Sequence, residues 1–447
     1  MKSHYKTNIK IPFINTTIPT DVLLLVVFIP LWWVLGLDQI IWIVMSFWIF
    51  LKLMMINKAK FKLIPTTKLM VIFLLVIVVS SCFIEESYRV LTFIRNYSAF
   101  ISVTILVICL TNTVRSEKQI RRLLWAFGIF SFFASLLGVL AITNIFNPHF
   151  EAPSKYLIPE GLKSFGLVRA IYTKAISTID FSRWGMFIRP TSFFIGSTAY
   201  GTSLVIVIPL TYFLMTSKKG IKKFFWFITF ILLLINLIFN ASRGAILSLF
   251  IATVFFIYKK MQNYKKIIIT FFLMIILLFI YSSFGYESIH QSVINFRGGS
   301  AKGSKEDRMV IYKATIEQVL SRPFFGYGTQ RDMPDISFYP VGSHSGYLGV
   351  LYRYGIAGFL LYILILFSIY KYTKVTKNQY LNNKFLAKCV EFSSISYYAN
   401  LLHQIVEEPD LDIMSLHIIW LSFAILITSN RLLRNCSENN FVLSNKV

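Results

Sequence analysis

The chain has 447 residues, 56% of them hydrophobic, and a mean hydropathy of +0.64. Soluble domains sit near about half apolar, so a soluble globular protein is excluded. Its 45 basic and 20 acidic residues give a net charge of +25, but the basic residues recur in clusters between apolar runs, which argues against a nucleic-acid surface.

Runs such as Val22–Leu37, Lys68–Ile84 and Phe224–Phe239 approach the ~20 apolar residues that cross a bilayer as a helix. They are nearly continuous, unlike the ~10-residue alternating strands of a membrane barrel. The expected fold is an all-α polytopic membrane protein of about 12 transmembrane helices, one membrane domain over residues 1–447. In chain order the expected spans lie near 21–37, 39–56, 68–84, 89–111, 121–143 and 198–216. The second half adds 222–240, 242–258, 266–285, 345–370, 386–406 and 411–430. The eleventh is the least regular, because Glu391, Asn400, His403 and Gln404 interrupt it.

Charge placement orients these spans. Lys2/Lys6/Lys10, Lys58/Lys60/Lys62/Lys68, Arg115/Lys118/Arg121/Arg122, Lys218/Lys219/Lys222/Lys223 and Lys259/Lys260/Lys265/Lys266 occupy every other connection. Lys371/Lys374/Lys377/Lys384/Lys388 and Arg431/Arg434/Lys446 continue the series. The positive-inside rule makes that side cytoplasmic, with both termini. Asp38, Glu85–Glu86 and Glu407–Glu408–Pro409–Asp410 then fall in short outer turns. The first span reads as a retained signal anchor. Cys82, Cys109, Cys389 and Cys436 are split between the two sides, so neither a disulfide nor a metal site is expected.

Two outer gaps are long: an extracytoplasmic loop at 144–196 and a second at 286–344. Two large polar excursions add nothing to a bundle's stability, so their use is to build a site. In the first, Phe165–Ser177 reads as an interfacial helix, followed by Arg183 and Arg189 just before the sixth span. Outward arginines run against the topological bias. They either snorkel to headgroups or clamp a diphosphate through forked donors. Arg243 stands in Asn240-Ala-Ser-Arg-Gly-Ala245, the tight outer turn between spans seven and eight, where a cation needs a partner.

The second loop holds Ser304-Lys-Glu-Asp307, which resembles a capping box, and an apolar face of Met309, Tyr312, Ile316, Val319 and Leu320. The pattern predicts an amphipathic helix at about 305–321, with Arg308, Tyr312 and Thr315 on one face. Pro323-Phe-Phe-Gly-Tyr-Gly328 is a turn signal, and Gly342-Ser-His-Ser-Gly-Tyr347 brings His344 to the membrane edge. A lone interfacial histidine is commonly a hydrogen-bonding group, yet the small residues around this one leave room for a substrate. For Arg95, Arg353, Glu391 and His403, internal ion pairs account as well as function does. No P-loop, HExxH or GxSxG motif occurs.

Arg189-Pro, Ser242-Arg-Gly-Ala245, Asp307-Arg308, Pro323-Phe-Phe-Gly-Tyr-Gly328 and His344-Ser-Gly-Tyr347 with Gly355–Gly358 resemble, in order and spacing, the O-antigen ligase and polymerase family. The resemblance is concentrated in residues 183–370. It implies a helical bundle of the membrane glycosyltransferase type called GT-C, acting without cofactor on the outer side of the inner membrane. It also implies that Arg189 and Arg243, with Arg308 beside them, bind the undecaprenyl diphosphate of a lipid-linked glycan donor, to which the loop position of Arg183 adds a further candidate. His344 would then assist the acceptor hydroxyl. Ser345 and Arg353 depart from the family pattern and bear on acceptor positioning and local ion pairing.

The leading expectation is a polymerase that joins lipid-diphosphate-linked repeat units of a surface polysaccharide. The alternative is a ligase that transfers glycan to lipid A core or another acceptor. A non-enzymatic glycolipid flippase is the reading from another class. Expected partners are the glycan donor, a glycan or glycolipid acceptor, membrane lipid and other polysaccharide-assembly proteins, with no nucleic acid.

Overall fold

A computed structural model describes residues 18–56, 61–163, 166–182, 185–260, 302–333, 340–410 and 412–444. The expected ninth span at 266–285 and Arg183 lie outside the described residues. The first half forms α1 (Ile18–Val27), α2 (Ile29–Leu35), α3 (Ile41–Ile56), α4 (Pro65–Ser81), α5 (Val90–Thr113) and α6 (Glu117–Ile142). Helix α9 (Ser197–Thr216), α10 (Gly220–Phe239) and α11 (Arg243–Lys260) follow the first loop, whose short helices are α7 (Glu160–Lys163) and α8 (Gly166–Tyr172). The chain then forms α12 (Lys302–Ser321), α13 (Gly346–Tyr370), α14 (Lys377–Asn382), α15 (Lys384–His403) and α16 (Ile413–Ser444).

Among the described residues, six helices are long and apolar enough to cross a membrane, and α1 with α2 makes a seventh if that 56° bent pair is one span. The chain is therefore an integral membrane protein. Helices α3 and α4 are apolar but shorter, while α15 occupies the interrupted eleventh run. Its polar residues face inward: His403 Nε2 meets the Thr202 hydroxyl of α9 at 3.0 Å, and Ser396 donates to the Ile206 carbonyl at 2.8 Å. Helix α16 is wholly enclosed over its apolar window. Such burial without lipid contact lets it carry His417, which meets Ser102 of α5 at 2.7 Å. Hydrogen-bonded polar residues inside a bundle are tolerated because their donors and acceptors are matched.

The first loop is a correction to expectation. Helix α8 stops at Tyr172, and the chain then turns extended as β2 (Thr173–Ala175), pairing antiparallel with β1 (His149–Glu151). β3 (Ser177–Ser182) and β4 (Gly185–Pro190) form a second hairpin, with Thr178 opposite Arg189. Thr173, Ile176 and Thr178 are β-branched, and they favour a pleated backbone over a continued helix.

In the second loop, α12 begins at Lys302, so Ser304 lies within its first turn and not at its cap. The Pro323–Gly328 segment has a definite task. Helix α13 is broken at Gly355 (φ 63°, ψ −168°), a conformation essentially confined to glycine. The break exposes backbone groups that the loop satisfies. Tyr327 N–H donates to the Tyr352 carbonyl at 3.1 Å and Gly328 N–H to the Arg353 carbonyl at 2.8 Å. In return, Ile356 N–H reaches the Pro323 carbonyl at 2.7 Å. The two sequence motifs at 323–328 and 355–358 are thus halves of one joint, which fixes the base of α12 against α13.

Candidate active site

The centre of the site is the connection between α15 and α16, residues 404–410 and 412. It carries Glu407, Glu408, Asp410 and Asp412, all buried. Four carboxylates away from water are tolerable only with cationic or hydrogen-bonding partners. Asp410 receives Arg353 of α13 in a two-pronged pair, Nη1 to Oδ2 at 2.5 Å and Nη2 to Oδ1 at 3.2 Å. This resolves the departure at position 353: its acidic partner comes from the distant turn. Asp412 accepts from Gln39 at 2.7 Å and from the Met414 N–H at 3.1 Å, and Arg95 acts on it electrostatically.

Glu408 binds the histidine segment. Its Oε1 accepts the backbone N–H of His344 at 2.7 Å, while Oε2 accepts the Gln330 amide. On the other side of the same residue, the Tyr312 hydroxyl donates to the His344 carbonyl at 2.7 Å. His344 has φ 61°, in the left-handed region where non-glycine residues are strained. Both polar groups of its backbone are therefore engaged exactly where the backbone needs support. Thr315, one turn further along α12, accepts the Gly342 N–H at 3.0 Å. Arg308, Tyr312 and Thr315 share a face as expected, and that face packs against residues 342–344 and 406–407.

Two sequence-predicted arginines come to the same turn, and the helix end that bears a third packs beside it. Arg308 donates to the Val406 carbonyl at 3.2 Å and lies 3.6 Å from Glu407 Oε2. Arg189, at the end of β4, donates through Nε to the Asn240 carbonyl at 2.9 Å and acts electrostatically on Glu407. Asn240 in turn donates to the Pro190 and Ser197 carbonyls at 3.1 and 2.7 Å, tying β4 and α9 to the α10–α11 turn. Arg243 opens α11 three residues later and is exposed. Its neighbour Gly244 lies so close to the turn that an added Cβ would come within 2.5 Å of Val406. The glycine is what lets the arginine-bearing helix end reach the turn.

The electrostatics follow from this packing. Burial, reinforced by the Arg308 charge, pulls the His344 imidazole down to about 4, so the ring is neutral at physiological pH. Burial pushes Glu407 above the usual carboxylate range, opposed by Arg308, the Thr198 hydroxyl and Arg189. Burial likewise raises Glu408 to about 8; Arg353 opposes the rise, while Asp410 and Glu407 add to it.

Sequence reasoning treated Glu407, Glu408 and Asp410 as charges marking an outer turn, and it did not find Gln330. A signal was present: the polar residues interrupting the eleventh run lead directly into this acidic turn. Among the described residues, no group of three or more His, Cys, Asp or Glu side chains is arranged as metal ligands.

Comparison with known proteins adds one finding. Residues 228–363 match a family model described as O-antigen ligase, so the resemblance read from the motifs holds over that stretch. No curated protein matches the chain.

Proposed function

We propose that this chain, a member of the O-antigen ligase family by its residues 228–363, is a glycosyltransferase of the inner membrane. In this reading it joins undecaprenyl-diphosphate-linked repeat units of a surface polysaccharide on the extracytoplasmic side. The observation that carries the proposal is the convergence of Arg189, Arg308 and His344 on residues 406–408, with the end of α11 that bears Arg243 packed beside them. Attack by an acceptor hydroxyl on the anomeric carbon expels a lipid diphosphate, whose growing charge needs preorganised cations. Guanidinium groups offer planar forked donors to phosphate oxygens without a metal. His344, as a neutral imidazole, accepts the hydroxyl proton. The incoming diphosphate offsets the Arg308 charge that weakens it as a base. A single displacement of this kind inverts the anomeric centre.

The description of the matching family favours a second reading, a ligase that transfers finished glycan to lipid A core or another acceptor. Both readings share the donor site and differ in the acceptor. Nothing supports the flippase reading, since these candidate cations gather at one end of the bundle instead of lining a central path.

The test uses purified protein in detergent with a lipid-linked repeat unit. A polymerase gives a ladder of products; a ligase gives one transfer and requires a separate acceptor. Arg189→Ala and Arg243→Ala should abolish product at normal expression, with lysine restoring only part. His344→Ala should lower turnover by about 10²–10⁴-fold. Substantial activity in His344→Gln would make the residue an acceptor-positioning group. Normal transfer in all three alanine variants would end the proposal.

A further inference from the structure

A cluster of arginines that faces a bilayer meets a persistent competitor. Anionic phospholipids carry a singly charged phosphodiester and surround the protein in large excess. A bare clamp would hold whichever headgroup drifted in. The site described above is not bare, because it already contains an anion.

Glu407 is 6% exposed, and its Oε2 lies 3.6 Å from Arg308 Nη2. The Thr198 hydroxyl, at the start of α9, donates to it, and Arg189 acts on it from β4. One carboxylate thus sits against cations delivered by β4 and α12, within the same turn as Glu408, whose backbone bond holds His344. Arg353 shows the contrast: its carboxylate partner meets it in two close bonds, and side chains of both residues are no more than 3% exposed. The Arg308–Glu407 contact is longer, and the Arg308 side chain is 32% exposed. The first pair is built to stay closed; the second is accessible and exchangeable.

We propose that Glu407 is a resident counter-anion of the donor site, whose displacement sets a threshold that keeps singly charged lipid headgroups from occupying it. Replacing a carboxylate with a singly charged phosphodiester returns one ion pair for the one broken. It yields little net binding, because exchange between equal charges leaves the balance of attraction and desolvation almost unchanged. A diphosphate brings additional charge and more acceptor oxygens, so it engages Arg308 and its neighbours beyond what Glu407 supplied. The displacement cost is the same for either headgroup, and only the more anionic one overcomes it. This inference rests on the diphosphate reading of Arg189, Arg243 and Arg308.

The test compares undecaprenyl diphosphate with phosphatidylglycerol, a singly charged phosphodiester, each titrated by native mass spectrometry into protein held in neutral detergent. Wild type should bind the diphosphate and hold phosphatidylglycerol weakly. Glu407→Gln should bind phosphatidylglycerol about tenfold more tightly, a change of about 1.4 kcal/mol, and bind the diphosphate at least as well as wild type. Glu407→Asp retains the charge and should keep phosphatidylglycerol binding as weak as in wild type. Glu407→Gln with unchanged or weaker phosphatidylglycerol binding overturns the proposal. A wild-type measurement covers the case in which the glutamine variant does not fold. Donor affinity in phosphatidylcholine nanodiscs should be little changed by adding phosphatidylglycerol, and strong competition by that lipid overturns the proposal equally. Arg189→Ala and Arg308→Ala separate the two layers of reasoning. If neither weakens diphosphate binding, the clamp reading fails; if they weaken it and Glu407→Gln does not tighten phosphatidylglycerol binding, only the counter-anion reading fails.

Discussion

Tyr312→Phe is the most revealing single change, because it removes one atom that touches the backbone of His344 and not its ring. Holding a non-glycine residue in the left-handed region costs about 1–2 kcal/mol, and His344 sits there at φ 61°. Two bonds offset that cost. The Tyr312 hydroxyl reaches the carbonyl at 2.7 Å, and Glu408 accepts the N–H at 2.7 Å. Each contributes about 1 kcal/mol net, so together they roughly balance the strain. Losing the hydroxyl leaves the strain about 1 kcal/mol short of support, and the working conformation of His344 becomes one of several.

That shortfall corresponds to a fall in turnover of about fivefold, since 1.4 kcal/mol is a factor of ten. Donor KM should stay within about twofold, because the arginines approach through other contacts. Steady-state transfer assays with varied lipid-linked donor separate the two constants. Glu408→Gln keeps an oxygen for the N–H and should remain close to wild type, whereas Glu408→Ala should lose at least as much turnover as Tyr312→Phe. The reasoning is refuted by unchanged turnover in Tyr312→Phe, or by a rise in donor KM with turnover intact.

Three other outcomes follow from the same geometry. Arg353→Met should lower the melting temperature in detergent sharply, since leaving a buried carboxylate unpaired costs about 3–5 kcal/mol; Arg353→Met with Asp410→Leu should recover most of it, and a double variant no better than the single would refute the pair's role. Gly355→Ala places a Cβ within 2.3 Å of the Phe324 backbone at a positive φ, and should free the 323–328 segment to rapid proteolysis, while Gly196→Ala, with open space around it, should not; equal protease resistance in both would contradict the joint. For pH, Glu408 is raised to about 8 from 4.5, so the stability it contributes is present below pH 4.5 and lost as pH rises through 8. His344 is lowered to about 4 from 6.5, so its contribution is present above 6.5 and lost as pH falls through 4. The slopes oppose one another between 4.5 and 6.5, leaving 6.5 to 8 as the window in which melting temperature should fall with pH. Glu408→Gln should flatten that decline, and an unaltered decline would count against the assignment.

The membrane helices were legible because continuous apolar runs have one physical reading, and nearly all described runs appear as helices within a few residues of expectation. The first loop was harder. Ile179 and Phe181 alternate with polar neighbours, a strand pattern, but the preceding apolar residues at Leu167, Val168 and Ile171 suggested that the helix continued. Arg189, Arg243, Arg308 and His344 stood out because each is costly or unusual where the sequence puts it. Glu407, Glu408 and Asp410 did not, because a carboxylate in a short outer turn looks solvated. Their burial is created by α12 and α13 closing over the turn, through residues about 50 to 100 positions away in sequence.

That closure also explains why the site's basic and acidic parts must be read together. An arginine held by two short bonds to a buried carboxylate, as Arg353 is by Asp410, has its donors committed and acts as a strut. Arg308 combines a carbonyl at 3.2 Å with a carboxylate at 3.6 Å and substantial exposure, so it is oriented without being saturated. A site for a highly charged headgroup needs this second kind of cation, fixed in direction before the ligand arrives and still able to gain from it. The turn at 404–410 supplies both kinds from one stretch of backbone: Asp410 locks the strut, Glu408 supports His344, and Glu407 orients the cation that the proposed donor would engage.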